Sequence, residues 1–141
     1  MTIAPQLSKV FESNRLATLA TIRRDGRPQL SQVSYAYDAP TATFRISVTD
    51  GRAKTKNLRR DPRATLLVQD DSPWVYAVAD GDASLGPVTT QPGDPGSEQL
   101  VALYRDIAGE HPDWDDYRRA MVAEQRLVLT VVAGHAYGLG G

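Results

Sequence analysis

No cysteine occurs anywhere in the 141 residues. That absence excludes disulfide frameworks, thiolate-held metals, iron–sulfur clusters and cysteine nucleophiles, and it is the usage expected of a protein of the reducing cytoplasm. Histidine is nearly as scarce. His111 and His135 are the two present, without HxxxH or HExxH spacing, so no histidine metal site is expected. Long hydrophobic runs are missing too: Arg, Asp, Gly or Pro interrupts every apolar stretch before the roughly 18 residues that a spanning helix needs. From Met1 to Asn14, Lys9 is the one positive side chain and there is no apolar h-region, so the segment does not read as a secretory signal. A large charge of either sign is also absent, since the net charge is −1, and the chain as a whole makes no electrostatic case for nucleic acid.

What is present is a globular composition, 41% hydrophobic and 23% charged, at a length that favours one domain spanning 1–141. Leu7, Val10 and Phe11 fall at helical spacing within an opening helix, Gln6 to Asn14. Leu16 to Ile22 and Pro28 to Tyr37 flank Arg24-Asp25-Gly26, a hairpin turn in which glycine supplies the positive φ. Thr43 to Val48 alternates Phe44, Ile46 and Val48 with Arg45 and Ser47, which predicts a strand with one core face and one wet face. A basic helix follows, capped by Thr49 or Asp50 and stopped by Asp61-Pro62. Arg63 to Gln69 and Trp74 to Asp80 read as strands, with a Gly81-Asp82 bulge and a continuation over Ala83 to Val88. After a loop at Gln91 to Gly96 come a helix from Glu98 to Ala108 and another from Asp113 to about Gln125, whose buried stripe is Trp114, Tyr117 and Met121. Leu127 to Ala133 closes the pattern, with Ala136 to Leu139 as a short tail strand at most. About six hairpin-connected strands with few helices between them favour a small antiparallel barrel over a parallel sheet, and no GxGxxG follows a strand.

Charge is concentrated where the composition hides it. From Arg52 to Arg63 six basic residues stand against one acid, a local +5 that leaves −6 on the rest. If this run opens a helix, the free N–H groups of the first turn and the basic side chains together favour an anion such as a phosphate. A solvated basic helix face is the plainer alternative; its position, directly after a strand with Arg45 and Ser47 on the wet side, argues for a site. Gln29, Ser31 and Gln32 could hydrogen-bond a ring ligand. Trp74, at the rim of its strand, is the aromatic least expected to be core. No GxSxG elbow is present and nothing locates a triad, so catalytic residues stay unassigned and a bound cofactor is expected to carry any chemistry.

Three stretches carry a resemblance: LATLATIRRDGRPQLSQVSY (Leu16 to Tyr35), RAKTKNLRRDPRATLLV (Arg52 to Val68) and WVYAVADGDASL (Trp74 to Leu85). They resemble the split β-barrel flavin/deazaflavin oxidoreductases, and more narrowly the actinobacterial deazaflavin-dependent branch of the pyridoxamine 5'-phosphate oxidase-like group; YRDIAGEHPDWDDYRRAM (Tyr104 to Met121) extends the likeness over nearly the whole chain. The resemblance implies a mainly β, six-stranded antiparallel FMN-binding split barrel. It also implies a homodimer with the cofactor at the subunit interface and hydride transfer from reduced coenzyme F420 to an unsaturated or quinone-like small molecule. On the matching positions, Arg52, Lys54 and Lys56 would hold the phosphate with Asn57 and Arg60 as supplements, while Gln29, Gln32 and Ser47 would line the ring or ribityl chain and Trp74 stand near the groove. An FMN enzyme on the same barrel, or a non-catalytic carrier of a flavin or tetrapyrrole, are the alternatives. One departure bears on substrate: the chain finishes HAYGLGG with no basic residue after Arg126, where a pyridoxamine phosphate oxidase is expected to carry an Arg-rich motif. The surplus of Arg over Lys suits a GC-rich, actinobacterial origin.

Overall fold

The computed structural model describes residues 3–140, so residues 1, 2 and 141 of the expected single domain lie outside the described residues. Six strands, β1 (Leu16–Ile22), β2 (Pro28–Asp38), β3 (Thr43–Thr49), β4 (Arg63–Gln69), β5 (Tyr76–Leu85) and β6 (Arg126–Leu139), close into a barrel in the order β1-β2-β3-β6-β5-β4. All neighbours pair antiparallel. The helices are α1 (Pro5–Ser13), α2 (Ala53–Arg60), α3 (Pro95–Ala108) and α4 (Trp114–Ala123). This is the mainly β, six-stranded antiparallel split barrel with flanking helices that the sequence predicts.

Alternation builds the interior. Leu19, Phe44, Ile46, Val48, Leu66, Val68, Leu127, Leu129 and Val131 are fully or almost fully buried, while their neighbours along each strand face outward. Helix α1 plugs one end of the barrel with Phe11, whose ring meets Phe44 edge-on at 5.0 Å and Tyr37 at 5.3 Å. Tyr35 locks this plug. It is fully buried, and its hydroxyl donates to the Phe11 carbonyl at 2.8 Å. Burial pushes the Tyr35 phenol above its ordinary value, so the group stays protonated and donating. Outside the barrel, Leu100 and Leu103 of α3 cover Ala36 and Val128, with Tyr117 and Met121 of α4 packed against them.

Several boundaries differ from the sequence reading, each for a local reason. β5 begins at Tyr76 because Trp74 and Val75 belong to the turn: Val75 N–H donates to the Ser72 carbonyl. It ends at Leu85 rather than Val88. β6 is one strand of 14 residues rather than a strand and a tail, because its glycines are absorbed as irregularities of the ladder. At Gly138, φ is +149° and an added Cβ would meet the Tyr76 carbonyl oxygen at 2.3 Å. α3 starts at Pro95, three residues early, since the Asp94 carboxylate accepts from Ser97 N–H at 2.8 Å and proline suits the first helical position. α2 is capped by neither Thr49 nor Asp50. Its N-cap is Arg52; the Thr49 carbonyl accepts from the Thr55 hydroxyl, and Asp50 is paired with Arg59. In α4 the Trp114, Tyr117 and Met121 stripe is half-buried, because this helix lies at the edge of the layer.

Replacing Tyr35 with Phe would leave the Phe11 carbonyl buried without its donor, at a cost of about 1–3 kcal/mol. Urea unfolding should show that loss; an unchanged midpoint would mean that the hydroxyl does not hold the plug.

Candidate functional site

The basic segment lies beside a groove of about 470 Å³ on the outer side of β2 and β3. The pleat turns Gln32 and Ser34 of β2, and Ser47 and Thr49 of β3, outward into it. The chain leaves β3, makes a tight turn at Gly51 and enters α2, so Arg52 and Lys54 arrive at the same mouth. Ile107 of α3 supplies an apolar wall and Arg126, which pairs opposite Thr49 at the start of β6, completes the lining.

Positive charge converges here without full compensation. Arg126 is held by Glu124 at 2.9 Å and reaches the Ser47 hydroxyl at 3.4 Å. Arg59 and Arg63 are paired with Asp50 and Asp61, whereas Arg52 and Lys54 have no carboxylate partner among the described residues. Burial, and then the Arg52 and Arg126 guanidinium groups, hold the Lys54 ammonium below its ordinary value. No side chain caps α2, so its leading N–H groups add to the same positive mouth. Lys54 thus stands in a polar niche where its charge is disfavoured until an anion enters. A phosphate, with several acceptor oxygens and about two negative charges, fits that niche.

Four of the nine sequence-expected residues, Gln32, Ser47, Arg52 and Lys54, line this groove together. The others stand elsewhere. Gln29 and Asn57 meet in the barrel end beneath α2: Asn57 Nδ2 donates to Thr21 Oγ1 at 3.1 Å and to Gln29 Oε1 at 3.3 Å. Arg60 donates to the Ile22 carbonyl and to Asn57 Oδ1, so these three side chains fasten α2 to the β1–β2 hairpin. Lys56 is exposed on α2, and Trp74 is 77% exposed in the turn before β5. The polar and wall residues that sequence reasoning missed are Ser34, Thr49, Ile107 and Arg126. The one available signal for Arg126 was a lone cation heading the last strand; its place opposite Thr49 needs the β3–β6 pairing.

A closed six-stranded antiparallel barrel with flanking helices defines the split barrel as the fold class. The chain belongs to the pyridoxamine 5'-phosphate oxidase family, whose sequence model matches residues 3–135. Solved structures similar to it include a conserved hypothetical protein of Mycobacterium tuberculosis, with 24% identity over 96% of this chain and 83% of that one at a TM-score of 0.70. An F420 reductase matches at 22% identity over 96% of this chain and 98% of its own, again with a TM-score of 0.70. The heme storage protein HutZ of Vibrio cholerae matches at 13% identity over 98% and 95%, with a TM-score of 0.68. At these identities the likeness is one of fold.

Because Lys54 loses its proton below the ordinary lysine value, anion binding should weaken as pH rises through that lowered value. Above neutral pH and below the ordinary lysine value, where inorganic phosphate stays a dianion, calorimetry should show falling phosphate affinity, and Lys54→Met should abolish the pH slope. A slope retained in that variant would place the anion elsewhere.

Proposed function

We propose that this chain is an oxidoreductase that uses coenzyme F420 to pass a hydride to an unsaturated or quinone-like organic acceptor. The observation that carries the reading is the convergence of Arg52, Lys54 and Arg126 on one groove whose polar wall is Gln32 and Ser47. Arg52 and Lys54 would hold the phosphate with the leading N–H groups of α2, and Gln32 and Ser47 would hydrogen-bond the ring or ribityl portion. Lys56, exposed on the same helix, extends the positive field toward an anionic tail. Gln29, Asn57 and Arg60 act by holding α2 in place. The bound deazaflavin would supply the hydride; the protein's share is anchoring, orientation and exclusion of water, and no residue is assigned a covalent role.

The reading includes a homodimer. Leu16, Leu30, Val132, Tyr137 and Leu139 are all about half exposed or more on the outer face of the barrel, and Trp74 stands in the turn beside them. The helix contacts of that wall leave these side chains open, and a second copy covering them accounts for an apolar surface of this extent. Among the described residues, no helix is long and apolar enough to cross a membrane. The reading also takes the protein as cytoplasmic, a compartment in which a cysteine-free chain is ordinary usage.

FMN, with its own phosphate and tricyclic ring, would satisfy the same groove, and the HutZ likeness keeps a non-catalytic carrier as the other alternative. Fluorescence titration with both cofactors separates them. Coenzyme F420 should bind tightly, and Lys54→Ala should weaken it by about 10- to 150-fold, the equivalent of roughly 1.5–3 kcal/mol for a charge-assisted hydrogen bond. Tight FMN with no measurable F420 binding would reverse the assignment, and bound cofactor without turnover on enones and quinones would favour the carrier. Light scattering should give a dimer that Tyr137→Asp dissociates; a wild-type monomer at micromolar concentration would remove the interface.

A further inference from the structure

Arg126 shares the groove with Arg52 and Lys54 but reaches it from the last strand, and its guanidinium is held firmly along one edge only. Nε and Nη2 both donate to Glu124 Oε1, at 3.1 and 2.9 Å. Nη1 meets the carbonyl and the hydroxyl of Ser47, each at 3.4 Å. Close N–H···O bonds fall at about 2.7–3.2 Å, so the Nη1 end lacks a close acceptor in the chain. The side chain is half-buried, and no carboxylate is among the described residues that line the groove. Of the acids nearby, Glu124 holds the other edge of Arg126, and Asp50 is taken by Arg59.

The backbone around Arg126 is fixed from several sides. Arg126 pairs opposite Thr49, and its carbonyl accepts from Thr89 N–H at 2.9 Å. The residue before it, Gln125, has φ of +54°, a left-handed conformation that few residues other than glycine adopt. Such a conformation persists where its surroundings over-determine it. Here Gln125 N–H donates to the Val122 carbonyl at 3.1 Å, and the Gln125 carbonyl accepts from Asp50 N–H at 2.9 Å. Asp50 stands in the turn that leads into α2. The junction before β6 is therefore tied directly to the turn that carries Arg52 and Lys54, and the three cations keep their places relative to one another.

We propose that Arg126 is a second anion contact of the groove, which reads a carboxylate carried on the same short chain as the phosphate. Arg52 and Lys54 take the phosphate. The Nη1 end of the Arg126 guanidinium, with the second hydrogen of Nη2, forms a planar fork for two carboxylate oxygens. The groove is then selective for phosphorylated carboxylates over plain phosphate esters. FMN carries a phosphate and no carboxylate, and would leave this fork unused. The assignment deepens the cofactor reading and rests on it for the place of the phosphate, though the selectivity can be measured with small anions and without turnover.

Calorimetry on the full chain with two matched pairs of probes tests this: phosphoglycolate against ethyl phosphate, and 3-phosphoglycerate against glycerol 3-phosphate. In each pair the first compound alone has a carboxylate, and in at least one pair it should bind about 10-fold tighter. Arg126→Met should remove that preference, and Arg126→Lys, which keeps the charge without the fork, should restore only part of it. Lys54→Ala should weaken both members of a pair alike. In the wild-type chain, nitrogen-15 NMR should show the Arg126 guanidinium nitrogens shifted by the carboxylated probe and not by its match, a readout independent of how the variants fold. Equal affinities within both pairs, a preference that survives Arg126→Met, or one narrowed equally by Lys54→Ala would overturn the proposal. A preference carried by Arg126 in a chain that binds neither coenzyme F420 nor FMN would uphold the contact and count against the oxidoreductase reading. Tight coenzyme F420 binding unchanged by Arg126→Met would remove the contact and leave that reading standing.

Discussion

The two-sided ladder of β6 is the constraint on which the rest of the molecule depends. This strand pairs with β3 along one edge and with β5 along the other, and those two pairings close the barrel. Its first residue, Arg126, lands opposite Thr49 and so enters the cationic groove; nine residues further on, His135 lands opposite Asp80. The cationic groove and the His135–Asp80 contact therefore both hang on backbone hydrogen bonds between segments far apart in the chain. The inward face of the same strand, Leu127, Leu129 and Val131, carries much of the core. Disturbing β6 would cost stability and the cationic groove together.

Polar groups divide between two purposes. At the barrel end under α2, Thr21, Gln29, Asn57 and Arg60 satisfy one another, and the cluster fixes how the helix leaves the hairpin. A buried amide is costly without partners and specifying with them, so this cluster sets the position of α2 and, through it, of Lys54. In the groove the reverse holds. Arg52, Lys54 and Arg126 crowd like charges that Glu124 only partly offsets, and burial first, then Arg52 and Arg126, hold the Lys54 ammonium below its ordinary value. A fold that tolerates repulsion at one mouth while pairing Arg59 and Arg63 nearby has its free positive charge where an anion can reach it.

Much of this was legible beforehand because it is local. Period-two alternation marked β3 to within a residue, short apolar runs between turn signals marked β1 and β4, the Asp25-Gly26 turn marked the first hairpin, and the bounded basic run marked α2. Misreadings fell where a distant partner decides the outcome. Glycines near the end of the chain suggested a broken tail, but β5 keeps that segment in register as far as Leu139. Gln29 and Asn57 carry the chemistry of ligand contacts and also hydrogen-bond each other, a contact that no spacing along the chain reveals.

By itself the sequence determined the antiparallel barrel class, the absence of thiol chemistry and the existence of a basic helix after the third strand, since these follow from composition and short-range periodicity. Only the tertiary structure decided which cations share a groove and which polar residues brace the scaffold. It alone decided, too, that a single bulge turns His135 outward beside Asp80. The physical reason is the same in each case: a strand's pattern sets its two faces, but register against a remote neighbour sets what those faces meet.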